Sequence, residues 1–156
     1  MVVPLSHSLK STEDMARALG KAMYDDSEAA ARAVFQEVHV RKGVSDSGQA
    51  PLANVDAVLV PALVSVERDF PQTAFHDQTT TMHLTWTLMD RNGKVWWVDT
   101  VTGEGKGPMG NPYSGNAGPV NMQNALQDLF RRSVADMASA PLIRQYAARV
   151  AKMPSP

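Results

Sequence analysis

Between Thr79 and Met89 hydrophobic and polar residues alternate with a period of two, the spacing at which successive side chains of a strand point to opposite faces. Met82, Leu84, Trp86 and Leu88 oppose Thr81, His83, Thr85 and Thr87. Asp90-Arg91-Asn92-Gly93-Lys94 reads as a tight turn, and Val95 to Thr102 returns as a second strand. Asn-Gly between two alternating runs is a strong hairpin signal, because both residues tolerate the backbone of a tight reversal. Residues 56–70 are apolar at both alternate sets, Ala57, Leu59 and Leu63 against Val58, Val60, Val64 and Val66. A strand of that kind is expected to be covered on both faces, and Pro61, which has no N–H to donate, places it at an edge or a bulge.

Helical spacing appears on either side of these strands. Ser11 reads as an N-cap with Asp14 three residues on, followed by Met15, Leu19, Ala22 and Met23. Tyr24-Asp25-Asp26-Ser27 breaks the stripe before Ala30, Ala31, Val34 and Phe35 restore it, so the helix between Thr12 and Gln36 is either continuous or kinked. Met1 to Leu5 and Val38-His39-Val40 read as short strands, and residues 41–54 as a loop. Residues 103–119, rich in glycine and proline, read as a loop longer than most connections, hence functional or mobile. Asn121 reads as the cap of a helix carrying Met122, Ala125, Leu126, Leu129, Phe130 and Val134 on one face. Pro141 suits the first turn of a last helix over Leu142 to Ala151. The predicted order is β-α-β-β-β-β-α-α: an α+β fold with a mostly antiparallel sheet and helices packed on one face, as a single domain over residues 1–156.

Composition narrows the function. With 44% hydrophobic and 20% charged residues, the chain of 156 residues is long enough to bury a core without staples. The net charge is −1 and the 15 Lys and Arg are scattered, which argues against nucleic acid, where phosphate neutralisation dominates binding. No run of apolar residues approaches the length of a membrane span. Cysteine is absent, which removes disulfides, thiolate chemistry and zinc–thiolate sites.

The candidate chemistry is thin. His7, His39, His76 and His83 lie on separate segments without ligand spacing, so no metal site is expected. Gly103-Glu104-Gly105-Lys106-Gly107 lacks the Gly-Lys-Ser/Thr order of a phosphate loop, since Gly107 and Pro108 follow Lys106. Asp25-Asp26 with Glu28 reads as a solvated region, Glu67 and Asp69 share one strand face without a partner, and Ser6-His7 lacks the setting of a nucleophile elbow. No catalytic residue and no cofactor site is therefore assigned.

Trp96 and Trp97 say more. Adjacent strand residues point to opposite faces, so one of the two is expected on the threonine-rich face, near Met89. A three-residue loop, Arg91-Asn92-Gly93, puts Trp96 with Leu84, Trp86 and Leu88, whereas a two-residue Asn92-Gly93 loop exchanges the two rings. Met89, Trp96 and Trp97 are the candidate interface residues, because exposed aromatics beside polar positions are common anchors for partners.

Val55-Asp56-Ala57-Val58-Leu59-Val60 resembles a strand motif of small bacterial envelope lipoproteins, and Leu88-Met89-Asp90-Arg91-Asn92-Gly93-Lys94-Val95-Trp96 resembles their hairpin. The glycine-rich stretch leading into Asn124-Ala125-Leu126, then Val134-Ala135-Asp136-Met137, resembles their closing loop and helix. The relatives are YajG-type lipoproteins and the TolB amino-terminal domain, with PelC and CsgG more distant. The resemblance implies a periplasmic domain tethered to the outer membrane by a lipidated cysteine, without catalysis, associating with itself or with another envelope protein. It implies a role in envelope maintenance or polymer export. The sequence departs from the pattern in having no lipobox and no cysteine, so the precursor is expected to carry a signal peptide and a cysteine shortly before Val2. The alternative is a small ligand-binding domain or enzyme with a site framed by residues 103–119, His83 and Glu104.

Overall fold

In the computed structural model, which describes residues 5–39, 55–69, 77–107 and 119–152, the elements run α1 (Leu5–Val34), β1 (Ala57–Asp69), β2 (Gln78–Asp90), β3 (Val95–Gly107), α2 (Pro119–Ser139) and α3 (Pro141–Val150). The strands form one antiparallel sheet in the order β1-β2-β3. Among the described residues the fold is thus α+β with three strands and three helices, and the two other expected strands fall partly outside them. Leu5 is already helical, while residues 1–4 lie outside the described residues. Val38 and His39 are irregular, and Val40 is also outside them.

The alternation in β2 has its expected effect. Every second residue from Gln78 to Leu88 is buried, and Met82, Leu84, Trp86 and Leu88 are almost fully inaccessible. Leu126, Leu129 and Phe130 of α2 pack on this face, with Leu19 and Val34 of α1 partly buried against the same cluster. Trp86 meets Phe130 edge to face, with ring centroids 6.3 Å apart, and its indole N–H donates to Ser133 Oγ at 2.9 Å. Ser133 in turn donates to the carbonyl of Leu129 at 2.8 Å, so the polar atoms beneath the largest core side chain are satisfied.

The glycine-rich stretch is where expectation and structure diverge most. Gly103 to Gly107 continue β3 and are not loop. Gly103, Gly105 and Gly107 pair with Met82, Thr80 and Gln78, so all three face the helices. A methyl group at Gly103 would lie 2.5 Å from Leu129 Cβ and 2.6 Å from the Ala125 carbonyl oxygen. One at Gly105 would overlap the backbone of Asn121 and Ala125, and one at Gly107 the side chain of Asn121. Two strand residues span about 6.7 Å and four helix residues about 6.0 Å, so Leu129, Ala125 and Asn121 meet successive glycines almost in step. Asn121 is therefore no cap. It is the third residue of α2, buried, and donates to Gln78 Oε1 at 3.2 Å.

Two further expectations change. Ser11 lies inside α1, which runs through Tyr24–Ser27 without a break, because Ala22, Met23, Asp26, Ala30 and Val34 keep one partly or fully buried stripe. And β1 is not covered on both faces. Val60, Leu63 and Val64 are 39%, 37% and 63% exposed, because α2 lies over β2 and β3, and α3 over β3. Pro61 does sit on an edge strand, and a bulge between Leu63 and Ser65 shifts Val66 towards the helix side. The last helix starts with Pro141 in its first turn as expected, and buries Ile143 and Tyr146.

The glycine contacts make a direct prediction. Gly105→Ala places a methyl group into backbone that cannot move alone, and should destabilise the protein by about 1–3 kcal/mol or more. Gly20→Ala, in α1 with nothing within 4 Å of the added carbon, should stabilise it by about 0.5–1 kcal/mol. Denaturant unfolding of both variants checks this, and equal effects at the two sites would contradict the packing.

Candidate functional site on the open sheet face

The hairpin decides where the aromatic side chains go. Asp90 N–H donates to the Lys94 carbonyl at 2.9 Å, Gly93 N–H to the Asp90 carbonyl at 3.0 Å, and Gly93 has φ 79°. This is the three-residue loop with glycine in the left-handed region. The Asp90 carboxylate accepts from the N–H groups of Asn92 and Lys94 and, at 3.3 Å, from the Trp96 indole. Desolvation pushes its carboxyl up, but these donors together with the Lys94 charge hold it below the usual carboxylate range.

After the turn, β3 bulges. Val95 pairs with Met89 while Trp97, not Trp96, pairs with Leu88. The extra residue at Trp96 resets the alternation, so neither tryptophan reaches the threonine face. Trp97 is 7% exposed in the core. Trp96 packs on Tyr146 of α3, with ring centroids 5.1 Å apart, and Lys94 Nζ and the Arg149 guanidinium lie 4.9 and 5.1 Å from its ring centre. Tyr146 Oη donates to the Asp56 carbonyl, tying α3 to the start of β1. The expectation of an outward tryptophan is thus corrected: both rings join the helix side.

What the open face does carry is a graded pattern. At its hairpin end Val58, Met89 and Val95 form one row, and Val60, Thr87 and Val98 the next. Val95 and Val98 are 50% and 55% exposed, and among the described residues no element covers this face. Ala62, Thr85 and Thr100 follow, the last two bonded through their hydroxyls at 2.8 Å. Of the candidate interface residues only Met89, half-buried, lies here. The exposed valines were missed because Val95 and Val98, three residues apart, fall on opposite faces of a regular strand, and only the bulge brings them to one face.

The far end of the face is polar. His83 Nδ1 lies 2.9 Å from Thr102 Oγ1, and its Nε2 lies 3.9 Å from Glu67. Glu104 sits one row further on, across Thr81 from Glu67. A carboxylate, an imidazole and a hydroxyl therefore come together, as cross-strand neighbours on an open sheet face. Elsewhere, a cleft of about 90 Å³ lies beside Trp96 and Tyr146, and one of about 260 Å³ lies between α1 and α2, beside Ala30, Phe130 and Val134. Both fall short of the roughly 300–1,000 Å³ of typical ligand pockets. Among the described residues no cluster of three or more His, Cys, Asp or Glu is placed to hold a metal. His39 is exposed beside Glu37, and the side chains of His7 and His76 lie outside the described residues.

The edges of the sheet are treated differently from its face. On β3, Glu104 N–H donates to Asp128 Oδ2 of α2 at 3.1 Å, and Asn124 Nδ2 donates to the Lys106 carbonyl at 3.0 Å. Arg131 and Arg132 hold Asp128 at 2.6 and 2.8 Å. The bond from Arg131, then those from the Glu104 N–H and Arg132, outweigh desolvation and bring the Asp128 carboxyl down to about 2.

No family model matches the chain, and no curated protein matches it. A solved structure, a "putative lipoprotein" from Caulobacter crescentus CB15, is similar over 87% of this chain and 86% of its own, at 16% identity and a TM-score of 0.38. A likeness at that level decides neither fold nor function. Among the described residues no helix is long and apolar enough to cross a membrane.

The Asp128 clamp has a pH signature. A carboxyl lower in the folded state than its ordinary 3.8 contributes stability above that value, and this is lost as pH falls through about 2. Asp128→Asn should therefore melt below the parent at neutral pH, and the gap should close between 3.8 and about 2. A gap that stays constant through that range would show that the charge plays no part.

Proposed function

We propose that this chain is a non-enzymatic domain of a periplasmic lipoprotein anchored to the outer membrane, acting in envelope maintenance or polymer export through protein–protein association. The observation that carries the association is the open sheet face, where Val60, Val95 and Val98 stand exposed on an uncharged surface beside Met89. Three exposed valines gathered on one uncharged face favour a contact surface, although a small one. Burying a valine side chain contributes about 1.5–3 kcal/mol, which a partner surface would recover. The envelope placement is supported by the motif resemblance across residues 55–150. The shallow face and the small clefts support a surface that binds by contact area and not by enclosing a small molecule.

The test is fractionation of source cells followed by native sizing of the envelope extract. The full-length protein should appear in the envelope fraction, in a species larger than one chain. Val98→Lys, at an exposed position, should shift it to monomer size while leaving the melting temperature within a few degrees of the parent. A protein found in the cytoplasm, or one that runs as a monomer even at the highest concentration sized, before any substitution, would contradict the proposal.

A further inference from the structure

We infer that the partner on this face is a second copy of the chain, packed sheet against sheet and not edge to edge; this rests on the association reading above. Both edges are partly obstructed for strand addition. On β3 the Glu104 N–H and the Lys106 carbonyl are already taken by Asp128 and Asn124. On β1, Pro61 offers no N–H and the bulge between Leu63 and Ser65 breaks the row of backbone groups. Proline and bulges are the devices by which edge strands resist pairing. A sheet so terminated can still bury apolar surface through its open face.

Charge selects the occupant and its placement. The hairpin half of the face, from Val58, Met89 and Val95 to Ala62, Thr85 and Thr100, carries no charged side chain. It can meet itself without like-charge repulsion, and it offers no charge by which a different protein would be chosen. The other half holds Glu67, Asp69 and Glu104 against Lys106, an acidic excess that opposes full overlap of two parallel faces. A two-fold axis crossing the strands near the Val60–Thr87–Val98 row resolves this. Valine half then lies on valine half, with the strands antiparallel and the acidic halves projecting in opposite directions. The mutual hydroxyl bond of Thr85 and Thr100 satisfies two polar groups that such packing would desolvate.

The area sets the strength. Three strands about 4.8 Å apart over five residues of about 3.3 Å give roughly 240 Å² per copy. Standard interfaces bury about 800 Å² per partner, so the dimer is weak and concentration-dependent.

The chain has no cysteine, which permits a clean test on the purified full chain. Val98→Cys and Val64→Cys are treated separately with a short thiol–thiol crosslinker over a series of protein concentrations. Val98→Cys, whose two copies would face each other across the axis, should give a covalent dimer whose yield rises with concentration. Val64→Cys, on the β1 edge, should not, and adding Val60→Lys to Val98→Cys should abolish the product without lowering the melting temperature. Crosslinking through Val64→Cys alone, equal yields at both positions, or no dimer from either would each overturn the inference. In those cases a large species in the envelope extract would still leave the association reading standing.

Discussion

Gly103, Gly105 and Gly107 present no side chain to α2, and that helix occupies the space where three β-carbons would otherwise be, with its backbone at Gly105, with backbone and Leu129 Cβ at Gly103, and with the Asn121 side chain at Gly107. Leu129 and Ala125 touch the strand almost main chain to main chain. From that seat follow the neighbours of the helix: Ser133 falls beneath the Trp86 indole, Phe130 meets its edge, and Asn121 reaches Gln78. The core is built around a helix held closer to the sheet than ordinary side chains allow. Since interiors are close-packed, one added methylene in such a contact is felt throughout the layer.

The seat also fixes what stays uncovered. With α2 drawn to the outer strand β3 and α1 packed on α2, the helical layer leaves the middle of β1 exposed on both faces. The same placement brings Asp128 and Asn124 to the backbone of β3, so the helix that fills the core also closes that edge. Among the described residues the sheet therefore has one covered face, two partly obstructed edges and one face that no element covers. Its aromatic side chains are spent on the covered side, by way of the bulge at Trp96. The free face is left with valines, threonines and a polar end.

Much of this was legible in the sequence, and the failures have physical causes. Strict alternation located β2 and its buried face, and Asn92-Gly93 located the turn, because both signals depend on local geometry alone. Pro61 marked an edge strand for the same reason. Gly103-Glu104-Gly105-Lys106-Gly107 was read as loop because glycine is a poor strand former in isolation, yet its period of two continues the face of Trp97, Asp99 and Val101. Its meaning lies in Asn121, Ala125 and Leu129, spaced four apart on a helix that only the tertiary fold brings over the strand. The tryptophan placement failed at a single residue, since one bulge reverses the faces of everything after it. The covering of β1 failed because an apolar strand looks the same whether or not a layer reaches it.

The seat of α2 is tested most directly by amide hydrogen exchange at Glu104. This N–H lies on the outer edge of the sheet, where exchange with solvent is ordinarily quick, and only the Asp128 carboxylate of a firmly seated α2 receives it. The account predicts that it exchanges as slowly as the amides of Leu84 and Trp86 in the central strand, through global opening. Exchange as rapid as that of an exposed edge amide would contradict the close packing of α2 on the glycines.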